Sequence, residues 1–189
     1  MAGSTRAYTR SAAVDETGSA LSFKRFALAL YGSEGVADAC LRLQNRHDLD
    51  VNLVLLAAFV GAQRRQRFTT IDLELARARV DAWHREVVRP LRAVRQRLKT
   101  GPAPAPNDVT AHLRRRLQQV EIDAEVIELD QLGALIPVLE PMPASGSATE
   151  SAAAAIETVM KTHTHTALDD RDRQAIDTIA AAATQQINP

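Results

Sequence analysis

Asp50-Val51-Asn52-Leu53-Val54-Leu55-Leu56-Ala57-Ala58-Phe59-Val60-Gly61 decides the fold. Between Leu53 and Val60 no residue is polar, so a helix here is apolar on every side. Such a helix has no face to turn to water and belongs inside a bundle. A bilayer crossing needs about 20 apolar residues, and this run is far shorter. The stretch is therefore expected to be a buried core helix, with Asp50 as its N-cap.

Upstream, Phe23, Phe26, Ala27 and Leu30 recur at helical spacing, and Gly32 is expected to close that helix in the left-handed conformation. Ser33 reads as the N-cap of a second helix carrying Val36, Cys40, Leu41 and Leu43 through about Asn45. Cys40 on that stripe is expected to be buried and inert, because a reactive thiol needs an electropositive, partly open site. Downstream, Arg64, Arg65 and Arg67 form a basic exit from the core. Thr69 and Thr70 then start the longest regular run, with apolar positions Leu73, Ala76, Val80, Trp83, Val87, Leu91, Val94 and Leu98. Pro90 interrupts it at a cost of about 3 kcal/mol. The stripe keeps its phase across Pro90, which predicts a kink rather than a break.

Gly101 to Pro106 (GPAPAP) is a stiff extended connection. Asn107 or Asp108 caps the next helix, whose stripe is Val109, Leu113, Leu117, Val120, Ala124 and Ile127. An antiparallel hairpin about the proline turn puts position 87 near position 120. Arg85 and Arg89 are then expected beside Glu121, Asp123 and Glu125.

The composition changes near Gly133. Residues 133–148 read as a Pro/Gly/Ser linker and 149–189 as an Ala-rich helical tail with thin stripes, Ile156, Val159 and Met160, then Ile176, Ile179 and Ala183. The expected architecture is all-α: a small bundle of four to five helices over 21–132, a loosely attached helical tail, and a disordered lead-in over 1–20. The 23 basic and 23 acidic residues balance, so no global field draws nucleic acid or an anionic membrane. Aromatics at 4% disfavour a base-stacking sheet. A single cysteine, no signal-peptide core and no long apolar span lead to a cytoplasmic expectation with no membrane partner.

The run Phe23 to Tyr31, then Gly35-Val36, Cys40-Leu41, Leu43-Gln44 and Asp50-Val51-Asn52-Leu53, resembles the start of a proteobacterial family of unknown function, DUF2390. Trp83 with Val87-Val88-Arg89-Pro90-Leu91-Arg92 and Arg95 through Lys99 is similar to its second half. The resemblance covers roughly residues 21–130. The family often carries Trp where this chain has Lys24, and again near Ala58-Phe59. It implies a small helical cytosolic protein and no activity.

Tyr31, Gln44, Asp50 and Asn52 sit around helix ends near the core. They are expected to satisfy buried backbone or to supply, with Trp83, the polar part of a ligand pocket. Arg92, Arg95, Lys99, Arg114 and Arg115 are expected to cluster as a basic patch at the closed end of the hairpin, either serving helix ends or meeting a phosphate-rich surface. His163 and His165 are too few to hold a metal and read as a solvated linker. His84 is not accompanied by a Ser, Cys or Asp motif, as a general base would need. No metal, cofactor or catalytic residue is assigned. The functional expectation is a non-catalytic interaction module with a protein partner; the alternatives are a nucleic-acid or ribosome binder through the basic end, and a small-ligand protein or enzyme with a pocket at the start of the buried helix.

Overall fold

A helix with no polar side has to be covered all round, and the chain supplies that cover from both directions. The computed structural model describes residues 20–163 and 167–186. Residues 1–19, which hold most of the expected lead-in, and His165 lie outside them. The elements are α1 (20–31), α2 (Val36–His47), α3 (Val51–Ala62), α4 (Thr70–Trp83), a π-helical turn (His84–Val88), α5 (Arg89–Arg97), α6 (Asp108–Gly133), a 3-10 turn (Ile136–Val138), α7 (Ala148–His163) and α8 (Asp170–Gln185). Among the described residues there is no strand. No helix among them is long and apolar enough to cross a membrane.

The central run is α3, and every residue from Asn52 to Ala62 is buried. Asp50 is its N-cap, accepting from the Asn52 N–H at 2.8 Å. Phe59 takes Phe23 and Phe26 of α1 edge-on, with ring centroids 5.5 and 5.1 Å apart. The predicted stripe of α1 is buried, and so is that of α2 except Leu41, which is exposed; burial pushes the Cys40 thiol up to about 12. Helix α1 ends just before Gly32 as expected, but the conformation that follows and the start of α2 differ. The left-handed residue is Gly35 rather than Gly32. Ser33 gives its hydroxyl to the Ala29 carbonyl, so α2 starts at Val36 without a side-chain cap.

Pro90 is absorbed without a break. It lacks an N–H, so the turn before it widens, and the Arg89 N–H reaches back to the His84 carbonyl in a π-helical bond. The hairpin with α6 forms, but in a different register. Arg85 pairs with Glu86 and Arg89 with Asp48, while Arg92 and Arg95 reach Glu121 and Glu125. The apolar stripe expected on α6 also fails: Val109 (79% exposed), Leu113, Val120 and Ile127 face outward, and of that set Ala124 is buried. The buried face instead runs through Glu121, Ala124, Glu128 and Leu132, because the charges on it have partners across the hairpin and on α3.

The loosely attached tail is the main correction. Ala152, Ile156, Met160, Ile179 and Ala183 are fully buried in the same core as α3. Alanine gives a thin stripe, but it also lets two backbones approach closely. A Cβ on Gly61 would lie 2.5 Å from the Ser151 carbonyl oxygen and 2.6 Å from Ala152 Cα. Helix α8 is fastened to α2 by charge: Asp172, fully buried, meets Arg42 at 3.1 Å, Arg46 at 3.2 Å and His47 at 3.1 Å. The linker also docks. Ile136 and Leu139 enter the core, the Arg67 N–H donates to the Met142 carbonyl, and the Ala144 N–H to the Arg65 carbonyl.

Truncation after Ala134 is therefore expected to abolish cooperative urea unfolding, since it strips the cover from α3. Gly61→Ala, which adds one methyl group against α7, is expected to cost about 1–3 kcal/mol or more. A truncated chain with a native-like transition would overturn this account of the tail.

Candidate functional site

Polar residues gather where α3 begins, because a buried helix start leaves N–H groups that must be satisfied. Around that point α1, α2, α3, α5 and α6 enclose a cavity of about 400 Å3. Leu28, Tyr31, Leu41 and Ile122 are exposed at its edge. Deeper in, Asp50, Asn52, Arg92, Glu121 and Glu125 supply polar groups, and Leu55 and Leu129 supply apolar ones.

Of the residues singled out from sequence, Tyr31, Gln44, Asp50 and Asn52 all line this cavity. Trp83 does not. Its indole N–H donates to the Ala124 carbonyl at 3.1 Å and ties the end of α4 to α6. The basic set divides. Arg92 and Arg95 line the cavity and are held by carboxylates: Arg92 Nε donates to Glu121 at 2.9 Å and its Nη2 to Glu125, while Arg95 is forked onto Glu121. With its amide oxygen turned to Arg92, Gln44 accepts from Nη2 at 3.2 Å. Lys99, Arg114 and Arg115 are not among the lining residues. The five cations therefore do not form one free surface.

The sequence reading missed the carboxylates of α6 and the environment of His84. Glu121, Glu125 and Glu128 recur at steps of four and three, which places them on one helix face with Ala124 and Leu132. That spacing was the available signal. His84 Nδ1 lies 3.0 Å from Glu128 Oε1 and 3.5 Å from Asp50 Oδ2. Asn52 Nδ2 donates to the other Glu128 oxygen at 2.8 Å and to the Glu125 carbonyl at 3.2 Å. Asp50 and Glu128 are 7% and 1% exposed.

Burial, with the Glu128 charge beside it, pushes the Asp50 carboxyl up to about 7. Burial also raises Glu125 against the pull of Arg92, and it raises the Tyr31 phenol. Burial alone would lower His84, but the Glu128 hydrogen bond and the Asp50 charge together hold it above the usual imidazole value. Glu121 goes the other way: burial opposes it, but Arg95 and Arg92 together hold it below the usual carboxylate range. The arrangement provides an apolar rim over a floor that both donates and accepts hydrogen bonds.

Residues 22–132 match the family described as "Protein of unknown function (DUF2390)". Every residue that lines the cavity, together with His84 and Glu128, falls within that segment. No curated protein and no solved structure matches the chain.

Glu121→Gln tests the floor through pH. A carboxylate whose folded pKa is depressed contributes stability above its unfolded value of about 4.3, and loses it as pH falls through the lower folded value. At pH 7 the variant is expected to be less stable by about 1–3 kcal/mol, between the figures for surface and buried pairs. The gap to wild type in urea midpoints should close below about pH 4. A gap that is constant from pH 7 to pH 3 would show that Glu121 is not paired in this way.

Proposed function

The chain belongs to the DUF2390 family of unknown function, and we propose that it is a small-ligand-binding protein whose site is the cavity at the start of α3. The observation that carries this reading is convergence. Tyr31, Gln44, Asp50 and Asn52, from α1, α2 and the start of α3, meet Arg92, Glu121 and Glu125 of the distant α5 and α6 around one cavity of about 400 Å3, a size suited to a small molecule. Its edge is apolar and its floor is polar, so the ligand class is a small amphiphile. The apolar body lies against Leu28, Leu41 and Ile122, and a hydrogen-bonding head meets Gln44, Asp50, Glu125 and Arg92.

The exposed side chains Val109, Leu113 and Val120 on α6 favour a second reading, an interaction module that docks a protein partner along the hairpin. The nucleic-acid reading has less support, because Arg92 and Arg95 already face Glu121 and Glu125.

Val126→Trp tests the first reading, since it fills the cavity without removing a polar group. Native mass spectrometry of protein purified from cells, with thermal shifts against a small-molecule panel, identifies what binds. A ligand at 100 times its Kd adds about 2.7 kcal/mol of stability. Val126→Trp is expected to weaken that binding at least about tenfold, roughly 1.4 kcal/mol. Equal binding by the variant would move the site elsewhere and leave the interaction reading.

A further inference from the structure

We propose that Asp50, His84 and Glu128 form a binding site for one divalent first-row transition cation. Three elements bring one donor each: the N-cap of α3, the first residue of the π-helical turn, and the buried face of α6. Their ligand atoms all lie within 4.8 Å of one another. His84 Nδ1 is 3.0 Å from the Glu128 oxygen and 3.5 Å from the Asp50 oxygen. Donors about 2.1 Å from a shared ion are separated by roughly 3.0 Å at a right angle and roughly 3.4 Å at the tetrahedral angle. Both spacings from His84 match those of neighbouring ligands around a single ion.

The hydrogen bonding around the cluster leaves the same three atoms over. Asn52 occupies one oxygen of each carboxylate, through its N–H to Asp50 Oδ1 and its Nδ2 to Glu128 Oε2, both at 2.8 Å. The remaining oxygen of each turns to the same imidazole nitrogen. A single N–H there serves only one of them, and Asp50 Oδ2 is buried with no hydrogen-bond partner. An orphaned oxygen on a buried carboxylate is costly and calls for an explanation. A cation in place of the proton meets all three donors, and a 2+ charge neutralises both carboxylates.

The donor set narrows the ion. Calcium and magnesium take all-oxygen shells, whereas an imidazole with two carboxylates suits zinc, manganese, iron or cobalt. Three protein donors leave coordination positions for water or for a donor atom of a bound molecule. Asp50 also lines the cavity, whereas His84 and Glu128 do not, so the cluster lies beside the cavity at its deep end.

The site stands independently of what the cavity binds, and the test uses no organic ligand. Full-length protein stripped with EDTA is titrated with Co2+, followed by visible absorption and by the fluorescence of Trp83, the only tryptophan of the chain and the residue next to His84. One saturable equivalent, a d–d band and Trp83 quenching are expected, with Zn2+ displacing Co2+. His84→Ala and Glu128→Gln should each weaken binding at least about 100-fold, because even residues that only orient a metal ligand are worth 10–100-fold. The double change His163→Ala, His165→Ala should leave binding as it was. Helicity by circular dichroism checks that the variants fold, and wild-type quenching of Trp83 stands by itself if they do not. Absence of saturable binding in the wild type, binding retained by His84→Ala, or loss through His163 and His165 would each overturn the assignment. A negative result leaves the cavity reading as it was, and failure of that reading leaves the Co2+ titration unchanged.

Discussion

Helix α3 imposes the constraint on which everything else depends: it has no side that tolerates water. Burying an apolar side chain is worth about 1.5–3 kcal/mol, and α3 presents such side chains in every direction. Covering it takes α1 and α2 before it in the chain and α4, α6, α7 and α8 after it. Because the last two helices belong to that cover, the core is complete only when the C-terminal part of the chain has arrived. The segment that matches the family, 22–132, ends before them.

The same constraint explains where charge collects. A helix interior satisfies its own backbone, but its first turn does not. With that turn buried, Asp50 has to serve as the cap, and a buried carboxylate then needs neighbours of its own. Asn52, His84, Glu128, Glu125 and Arg92 form the chain of partners that follows, reaching from the middle of the bundle to the wall of the cavity. The polar floor and the histidine cluster are thus parts of one answer to the problem of starting a helix inside a protein.

Much of this was legible in the sequence. The apolar run gave α3 and its cap, the three-and-four spacing gave the faces of α1, α7 and α8 and, apart from Leu41 and Trp83, those of α2 and α4, and the helix-end positions of Tyr31, Gln44, Asp50 and Asn52 offered either backbone caps or a pocket. Two things were not legible, for different physical reasons. Alanine-rich stripes look weak when judged by the area each side chain buries, yet Gly61 against Ala152 shows that small residues act by letting backbones approach closely. Hydrophobic periodicity also assumes that the apolar face of a helix is the buried one. On α6 glutamates point inward and valines outward, so the pattern pointed the wrong way. His84 was passed over because its companions lie far away in the chain, Asp50 before it and Glu128 after it.

The widened turn from His84 to Val88 makes the site depend on residue count as much as on residue identity. Adding or removing one residue in a helix rotates everything beyond it by about 100°. His84, at the start of the π-helical turn, faces Glu128, while Arg92, just past it, faces Glu121 and Glu125. With one residue deleted between them, a regular α-helix could hold His84 or Arg92 in place but not both. A gap of one position at 84–88 in a related chain would therefore mark the loss of this arrangement, even with every named side chain retained.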